Sequence, residues 1–148
     1  IDPPDLMTAD FVASFNVDAA PAVIGVIPPN GGANVRTTND VEVQFSEGVT
    51  VSPTGITLNC APGGAIAGTV SSIDADSWLF DPAAALPEGA NCTVTVVAAQ
   101  VNDVDAADPP ANLVTNFTST FTTDVAPTVT TLTPAEGAVV GTCQTITV

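Results

Sequence analysis

The stretch DPPDLMTADFVASFNVDAAPAV, residues 2–23, returns as DPPANLVTNFTSTFTTDVAPTV, residues 108–129, at an offset of 106 residues. The offset places Phe15 in register with Phe121, and the match continues through Pro28 and Gly31 onto Pro134 and Gly137. Solenoid units repeat every 20–50 residues or so, and a repeat this long is typical of a whole domain. The sequence therefore predicts an array of similar domains in tandem.

The repeat also predicts the domain boundaries. Residues 1–20 are expected to form the last strand of a preceding domain plus a linker, and residues 21–124 a complete domain. Residues 125–148 are expected to form the first strands of the next domain, so that the chain is a window on a longer array. The alternative is a single domain with two decorated termini.

Within residues 21–124, apolar residues alternate with polar ones, which is the pattern of strands buried on one face. The alternating apolar sets are Val41, Val43 and Phe45; Ile56, Leu58 and Cys60; Trp78 and Phe80; Cys92, Val94 and Val96; and Phe117 and Phe121. Proline and glycine clusters separate these sets. About seven short strands without a helix predict an all-β fold, an immunoglobulin-like antiparallel β-sandwich.

The composition excludes several classes of function. The chain of 148 residues has sixteen acidic residues against one base, Arg36, and a formal net charge of −15. This balance excludes nucleic acid as a partner, and no apolar run is long enough to insert directly into a membrane. Histidine and lysine are both absent, which excludes His-based catalysis, His-ligated metals and Schiff-base chemistry. Carboxylate and Ser/Thr chemistry remain as the alternative, and we expect a protein that is not an enzyme.

Several segments resemble bacterial Ig-like domains of the SbsA/Big type, which occur as tandem modules in surface proteins. The resemblance covers residues 21–124, and its specific segments are a P-x-x-G opening, FSEGV at 45–49 and LPEGANCTVTV at 86–96. Cys92 occupies a position that is usually aromatic in the last segment, and the family generally has no cysteine at Cys60. The resemblance implies an extracellular or bacterial cell-surface location and no catalytic residue.

Cys60 and Cys92 lie on inward faces of predicted strands, and we predict a disulfide between them. The alternative is a pair of unpaired buried thiols. A bridge over this separation contributes roughly 3–4 kcal/mol in the chain-entropy model, and disulfides persist in oxidising compartments. Cys143 is expected to be unpaired within the chain, with its partner beyond residue 148.

The acidic loops offer a candidate calcium site. Glu47, Asp103 and Asp105 supply the oxygen ligands that Ca²⁺ prefers, and the linker residues Asp18 and Asp124 are further candidates. The spacing matches no EF-hand, and solvated acidic loops are the alternative. No cofactor other than Ca²⁺ is predicted.

Three further residues are weaker candidates. Asn91 and Asn116 each begin an N-x-S/T glycan acceptor pattern, although such tripeptides arise by chance in a Thr-rich chain. Trp78 is a candidate for stacking a sugar, but a single tryptophan at strand period is typical of a core.

The leading hypothesis for function is a structural repeat of a secreted bacterial surface protein: a filament, S-layer or adhesin module. Its partners are expected to be adjacent Ig-like domains or neighbouring copies, with self-assembly into a fibre or lattice. The alternative is a binding module of an adhesin or of a secreted carbohydrate-active protein.

Overall fold

Short strands follow the alternation of the sequence throughout the computed structural model, which describes residues 9–15, 17–105 and 112–131. The described residues contain eleven strands and one single-turn 3-10 helix, Ala98–Gln100. The strands are β1 (Val23–Ile27), β2 (Gly32–Val35), β3 (Val41–Phe45), β4 (Val49–Val51), β5 (Ile56–Ala61), β6 (Gly64–Ile66), β7 (Gly68–Ser72), β8 (Ser77–Pro82), β9 (Asn91–Val96), β10 (Val101–Asp103) and β11 (Phe117–Thr123).

The strands form two larger sheets and one small one. One sheet has the order β1-β3-β8-β7, and the second has the order β2-β11-β9-β5-β6. A two-stranded sheet pairs β10 with β4. All pairs are antiparallel except β2 and β11, which run parallel. The chain changes sheet between β1 and β2, since these consecutive strands belong to different sheets.

A single hydrophobic core lies between the two larger sheets. Strand β5 shows the pattern most clearly, because its residues are alternately buried and exposed along its whole length. Val43 and Phe45 of β3 and Val94 and Val96 of β9 are fully buried in the same cluster. Burying a side chain of this kind stabilises the fold by about 1.5–3 kcal/mol. The outward positions of β11 carry threonines, which suit a solvated strand face.

The predicted Ig-like antiparallel β-sandwich is confirmed, with two differences of detail. The described residues hold eleven strands where the alternation predicted about seven. Strands β4, β6 and β10 have only three residues each and β2 only four, too few for an alternating pattern to be recognised. The second difference is the parallel pairing of β2 with β11, where an antiparallel sandwich was predicted. Local alternation does not indicate this pairing, because the two strands are far apart in sequence.

The two copies of the repeat have different environments. Phe121 in β11 is 1% exposed, whereas its equivalent Phe15 is 85% exposed in a segment without strand structure. The described part of the N-terminal copy has no sheet covering it. Most of the predicted flanking domain pieces lies outside the described residues, since residues 1–8 and 132–148 are not among them.

Candidate functional site

Three carboxylates converge at the entry linker, residues 17–22, which leads into β1. One carboxylate oxygen from each of Asp18, Glu47 and Asp103 lies within 4.8 Å of the other two. Asp18 is exposed, Glu47 is half-buried and Asp103 is only 7% exposed. The group therefore extends from the surface of the linker into the body of the domain.

The turn between β3 and β4 brings the first two of these residues together. Its Ser46 N–H donates to the Ala22 carbonyl at 2.8 Å, and the Ala22 N–H donates to Ser46 Oγ at 3.0 Å. These reciprocal bonds fasten the linker to the turn. Since Glu47 follows Ser46 and Asp18 lies four residues before Ala22, the bonds hold the two carboxylates at the same end of the domain.

The pairing of β10 with β4 positions Asp103. Asp103 lies opposite Val49, and the adjacent Val104 N–H donates to the Gly48 carbonyl at 3.2 Å. The Asp105 N–H donates to Asp103 Oδ1 at 3.0 Å. The other carboxylate oxygen, Oδ2, is buried and has no hydrogen-bond partner within the described part of the chain. A buried polar atom left in this way costs about 1–3 kcal/mol, and more when it carries charge.

The electrostatics of the group are repulsive. Burial raises the pKa of Glu47 above its ordinary value, and the charges of Asp103 and then Asp18 raise that pKa further. Two like charges about 4 Å apart repel by ~1 kcal/mol in water and ~4 kcal/mol near a protein surface. The group therefore favours either a bound proton or an external positive charge.

The one base of the sequence lies elsewhere. Arg36 lines a shallow groove that shares no residue with the carboxylate group. The residues lining this groove are Arg36, Thr37, Thr38, Glu88, Asp124 and Ala126. Asp124, a sequence candidate for the calcium site, begins the exit linker, residues 124–131 after β11. Its Oδ1 accepts the Val125 N–H at 2.9 Å.

The predicted calcium ligands are thus partly brought together. Glu47 and Asp103 are members of the group, and Asp18 joins them as its third carboxylate. Asp105 is not one of the three, and its backbone N–H instead orients the carboxylate of Asp103. Sequence reasoning missed Ser46, whose only signal is its position in the FSEGV segment next to Glu47.

Cys60 and Cys92 form a disulfide that lies inside one sheet. They are directly opposite each other on β5 and β9, with 4.0 Å between their Cα atoms. Both residues are fully buried. The bridge therefore joins neighbouring strands of the five-stranded sheet, and Cys143 lies outside the described residues.

The remaining candidates have less to offer as sites. Asn91 is exposed on β9, and the exposed Asn116 accepts the Ala98 N–H at 2.9 Å through its side-chain oxygen. Trp78 is half-buried and packs against the hydrophobic core. Its indole Nε1 is buried and makes no hydrogen bond within the described residues.

The sequence of this domain matches a known protein family. A family profile described as bacterial Ig-like domain matches residues 17–123. The match begins just before Asp18 and ends at the last residue of β11, so it includes all three carboxylates. No curated protein matches the chain. Within the described residues, no helix is both long enough and apolar enough to cross a membrane.

Three solved structures illustrate the fold. PcoC, a methionine-rich copper resistance protein from Escherichia coli, is 20% identical with a TM-score of 0.53, covering 72% of this chain and 100% of its own. The LD transpeptidase LdtMt1 is 18% identical with a TM-score of 0.50, covering 72% of this chain. The N-terminal part of the bacterial S-layer protein SbsC is 15% identical with a TM-score of 0.50, also covering 72%. The chain spans only 41% of the transpeptidase and 24% of the SbsC structure, and identities this low show the fold alone.

Proposed function

Because this chain belongs to the bacterial Ig-like domain family, we propose that it is a non-catalytic structural repeat of a secreted bacterial surface protein. In this proposal the domain of residues 21–124 is one unit of a filament, S-layer or adhesin array. The 106-residue repeat supports the array, because the sequence of the last strand and linker has a second copy before the domain.

The observation that carries the proposal is that both linkers are hydrogen-bonded to the domain between them. At the entrance, Ala22 and Ser46 exchange two bonds. At the exit, the Ala126 N–H donates to Glu88 Oε2 at 3.3 Å, and the Gly89 N–H donates to the Asp124 carbonyl at 3.0 Å. Linkers held in this way restrict the angle between neighbouring domains, which suits a spacer better than a flexible tether.

A location outside the cytoplasm is part of the proposal. The buried disulfide supports it, because disulfides are rare in reducing compartments. The chemistry of the chain also supports a role without catalysis. The sequence has no histidine and no lysine, which removes His-based acid–base catalysis and Schiff-base chemistry. With no histidine and one methionine, it also has few of the ligands that copper proteins use.

The alternative of a carbohydrate-binding module has weaker support. Such modules rely on aromatic rings that stack against sugars, and this chain has one tryptophan and no tyrosine. Trp78 packs against the core, which leaves it poorly placed for that role.

Immunogold labelling of the native cells, with an antibody raised against residues 21–124, tests the proposal. We expect gold on the outside of intact cells, along fibres, a regular layer or projections. Label that requires permeabilised cells contradicts the proposed location. Surface label together with specific retention on immobilised glycans favours the binding module instead.

A further inference from the structure

We propose that Asp18, Glu47 and Asp103 bind a calcium ion, which joins the linker to the body of the domain. The proposal goes beyond the structural role above. All three ligands belong to this chain, so calcium binding does not depend on assembly of the array. Each of the three residues comes from a different segment: the linker, the β3–β4 turn and strand β10.

The strongest argument is the state of Asp103. Its Oδ1 is fixed by the Asp105 N–H, while its buried Oδ2 has no partner within the described residues. An anionic oxygen in this position is costly unless something positive contacts it. The other two carboxylates supply oxygens within 4.8 Å, so a cation between them contacts all three residues.

The protein provides no cation of its own for this purpose. The sequence has neither lysine nor histidine, and Arg36 lies in the groove with Asp124. The positive charge must therefore come from solution. It also offsets the mutual repulsion of the three carboxylates, which lie within 4.8 Å of one another.

The donor set selects the kind of ion. Carboxylate oxygens suit hard cations, whereas zinc and copper prefer imidazole and sulfur ligands. Calcium accepts six to eight oxygens in irregular geometry and takes the remaining ones from carbonyls or water. Magnesium requires near-ideal octahedral geometry and retains its water, which suits three side chains from separate segments less well.

Position in the repeat extends the inference to the next junction. Asp124 is the equivalent of Asp18 at the offset of 106 residues, and it lies in the exit linker. In a tandem array, Asp124 is therefore expected to complete the calcium site of the following domain. Within this chain it lines the groove with Arg36, apart from the carboxylate group.

Calorimetric titration and thermal melting of the 148-residue chain with CaCl₂ test the site. We expect one site with a dissociation constant on the order of 10⁻⁴–10⁻³ M, the range of extracellular calcium modules. Saturation is expected to raise the melting temperature by roughly 4 °C or more. MgCl₂ at the same ionic strength is expected to give a much smaller rise.

Conservative variants identify the ligands. Glu47→Gln, Asp103→Asn and Asp18→Asn are each expected to weaken calcium binding by about tenfold or more, whereas Asp81→Asn, at an exposed position of β8, leaves it unchanged. The change in melting temperature caused by Glu47→Gln is expected to reverse its sign with calcium. Without calcium the variant removes repulsion, and with calcium it removes a ligand. It is expected to melt above the wild type in EDTA and below it in saturating calcium. Should Asp103→Asn not fold, Glu47→Gln still provides the comparison.

Three outcomes overturn the proposal. One is the absence of both heat and a change in melting temperature up to about 10 mM calcium, well above the affinity of extracellular modules. Another is undiminished binding by Glu47→Gln and Asp18→Asn, which places the ion elsewhere. Equal responses to calcium and magnesium overturn the assignment of the ion. None of these results bears on the surface location of the protein, which the immunogold experiment decides separately.

Discussion

Ala22 and Ser46 each donate a hydrogen bond to the other, with Ala22 N–H to Ser46 Oγ at 3.0 Å and Ser46 N–H to the Ala22 carbonyl at 2.8 Å. One partner is the last linker residue before β1, and the other begins the turn that carries Glu47. The two bonds therefore hold the linker that carries Asp18 against the turn that carries Glu47.

Replacing Ser46 by alanine is expected to loosen the linker without disturbing the core. The variant loses the acceptor for the Ala22 N–H, and a hydrogen bond of this kind contributes about 0.5–1.5 kcal/mol. Hydrogen exchange followed by NMR is expected to show a faster-exchanging Ala22 amide. Ser71→Ala on the exposed face of β7 is the control, and equal protection of Ala22 in both variants contradicts the prediction.

The two equivalent phenylalanines of the repeat are expected to differ sharply in their effect on stability. Phe121→Ala removes a fully buried ring and is expected to lower the free energy of unfolding by about 3–5 kcal/mol. Phe15→Ala removes an exposed ring, and we expect a change within about 0.5 kcal/mol. Urea denaturation of the two variants measures the difference.

A large loss on Phe15→Ala contradicts the exposed position of that residue and indicates that the N-terminal copy packs against the domain. Phe121→Leu keeps more of the buried volume. It serves as the measurement should Phe121→Ala prevent folding.

Breaking the disulfide is expected to destabilise the domain strongly. The half-cystines are separated by 32 residues in sequence, for which the chain-entropy model gives roughly 3–4 kcal/mol. Denaturation of Cys60→Ala/Cys92→Ala against the wild type measures the loss, and reductant is expected to reproduce it in the wild type. Cys143→Ala is the control. Identical denaturation midpoints with and without reductant contradict the prediction.

Asp74 is expected to make a pH-dependent contribution in the β7–β8 turn. The Asp76 side chain has the largest effect and lowers the pKa of Asp74 below its ordinary 3.8, while desolvation opposes this shift. The backbone N–H groups of Asp76 and Ser77 lower the pKa further by donating to Asp74 Oδ1 at 3.2 and 2.9 Å. The ionised form is thus favoured in the folded state. Its stabilising effect is fully present above pH 3.8 and is lost as the pH falls through the lowered pKa.

The measurement is the difference in free energy of unfolding between wild type and Asp74→Ala across about pH 3 to 6, the range around an aspartate pKa. We expect this difference to shrink at the acidic end. Asp74→Asn keeps the oxygen acceptor without the charge, and its difference from Asp74→Ala is expected to be constant with pH. A gap between wild type and Asp74→Ala that widens toward low pH contradicts the assignment.

Local alternation made the central strands predictable. Along β5 and β9, buried apolar residues alternate with more exposed ones, and the buried face emerges from that pattern alone. The same alternation placed Cys60 and Cys92 on inward faces. That they lie opposite each other in one sheet depends on the register of β5 with β9, which pattern alone does not determine.

The carboxylate group was harder to predict because it is made by tertiary contacts. Glu47 and Asp103 were recognisable as acids expected at one end of the sandwich. Asp105 was predicted with them because it is close to Asp103 in sequence, but it is not the third member of the group. Asp18 takes the third position because the Ala22–Ser46 bonds bring the linker to the turn. No local pattern distinguishes a linker aspartate that reaches the domain from one that remains in solvent.

The parallel pair formed by β2 and β11 determines how the domain resists stretching. The Gly31 N–H donates to the Thr120 carbonyl and the Asp124 N–H to the Val35 carbonyl, both at 2.7 Å, at the two ends of this pair. A pull on the entry linker that is passed on through β1 draws β2 backwards, while the exit linker draws β11 forwards, so the two strands must slide past each other. Antiparallel strands pulled apart from one end lose their bonds one after another, whereas here the bonds bear the force together. The pair therefore acts as a shear clamp, and the domain is expected to yield abruptly at one force rather than extend gradually.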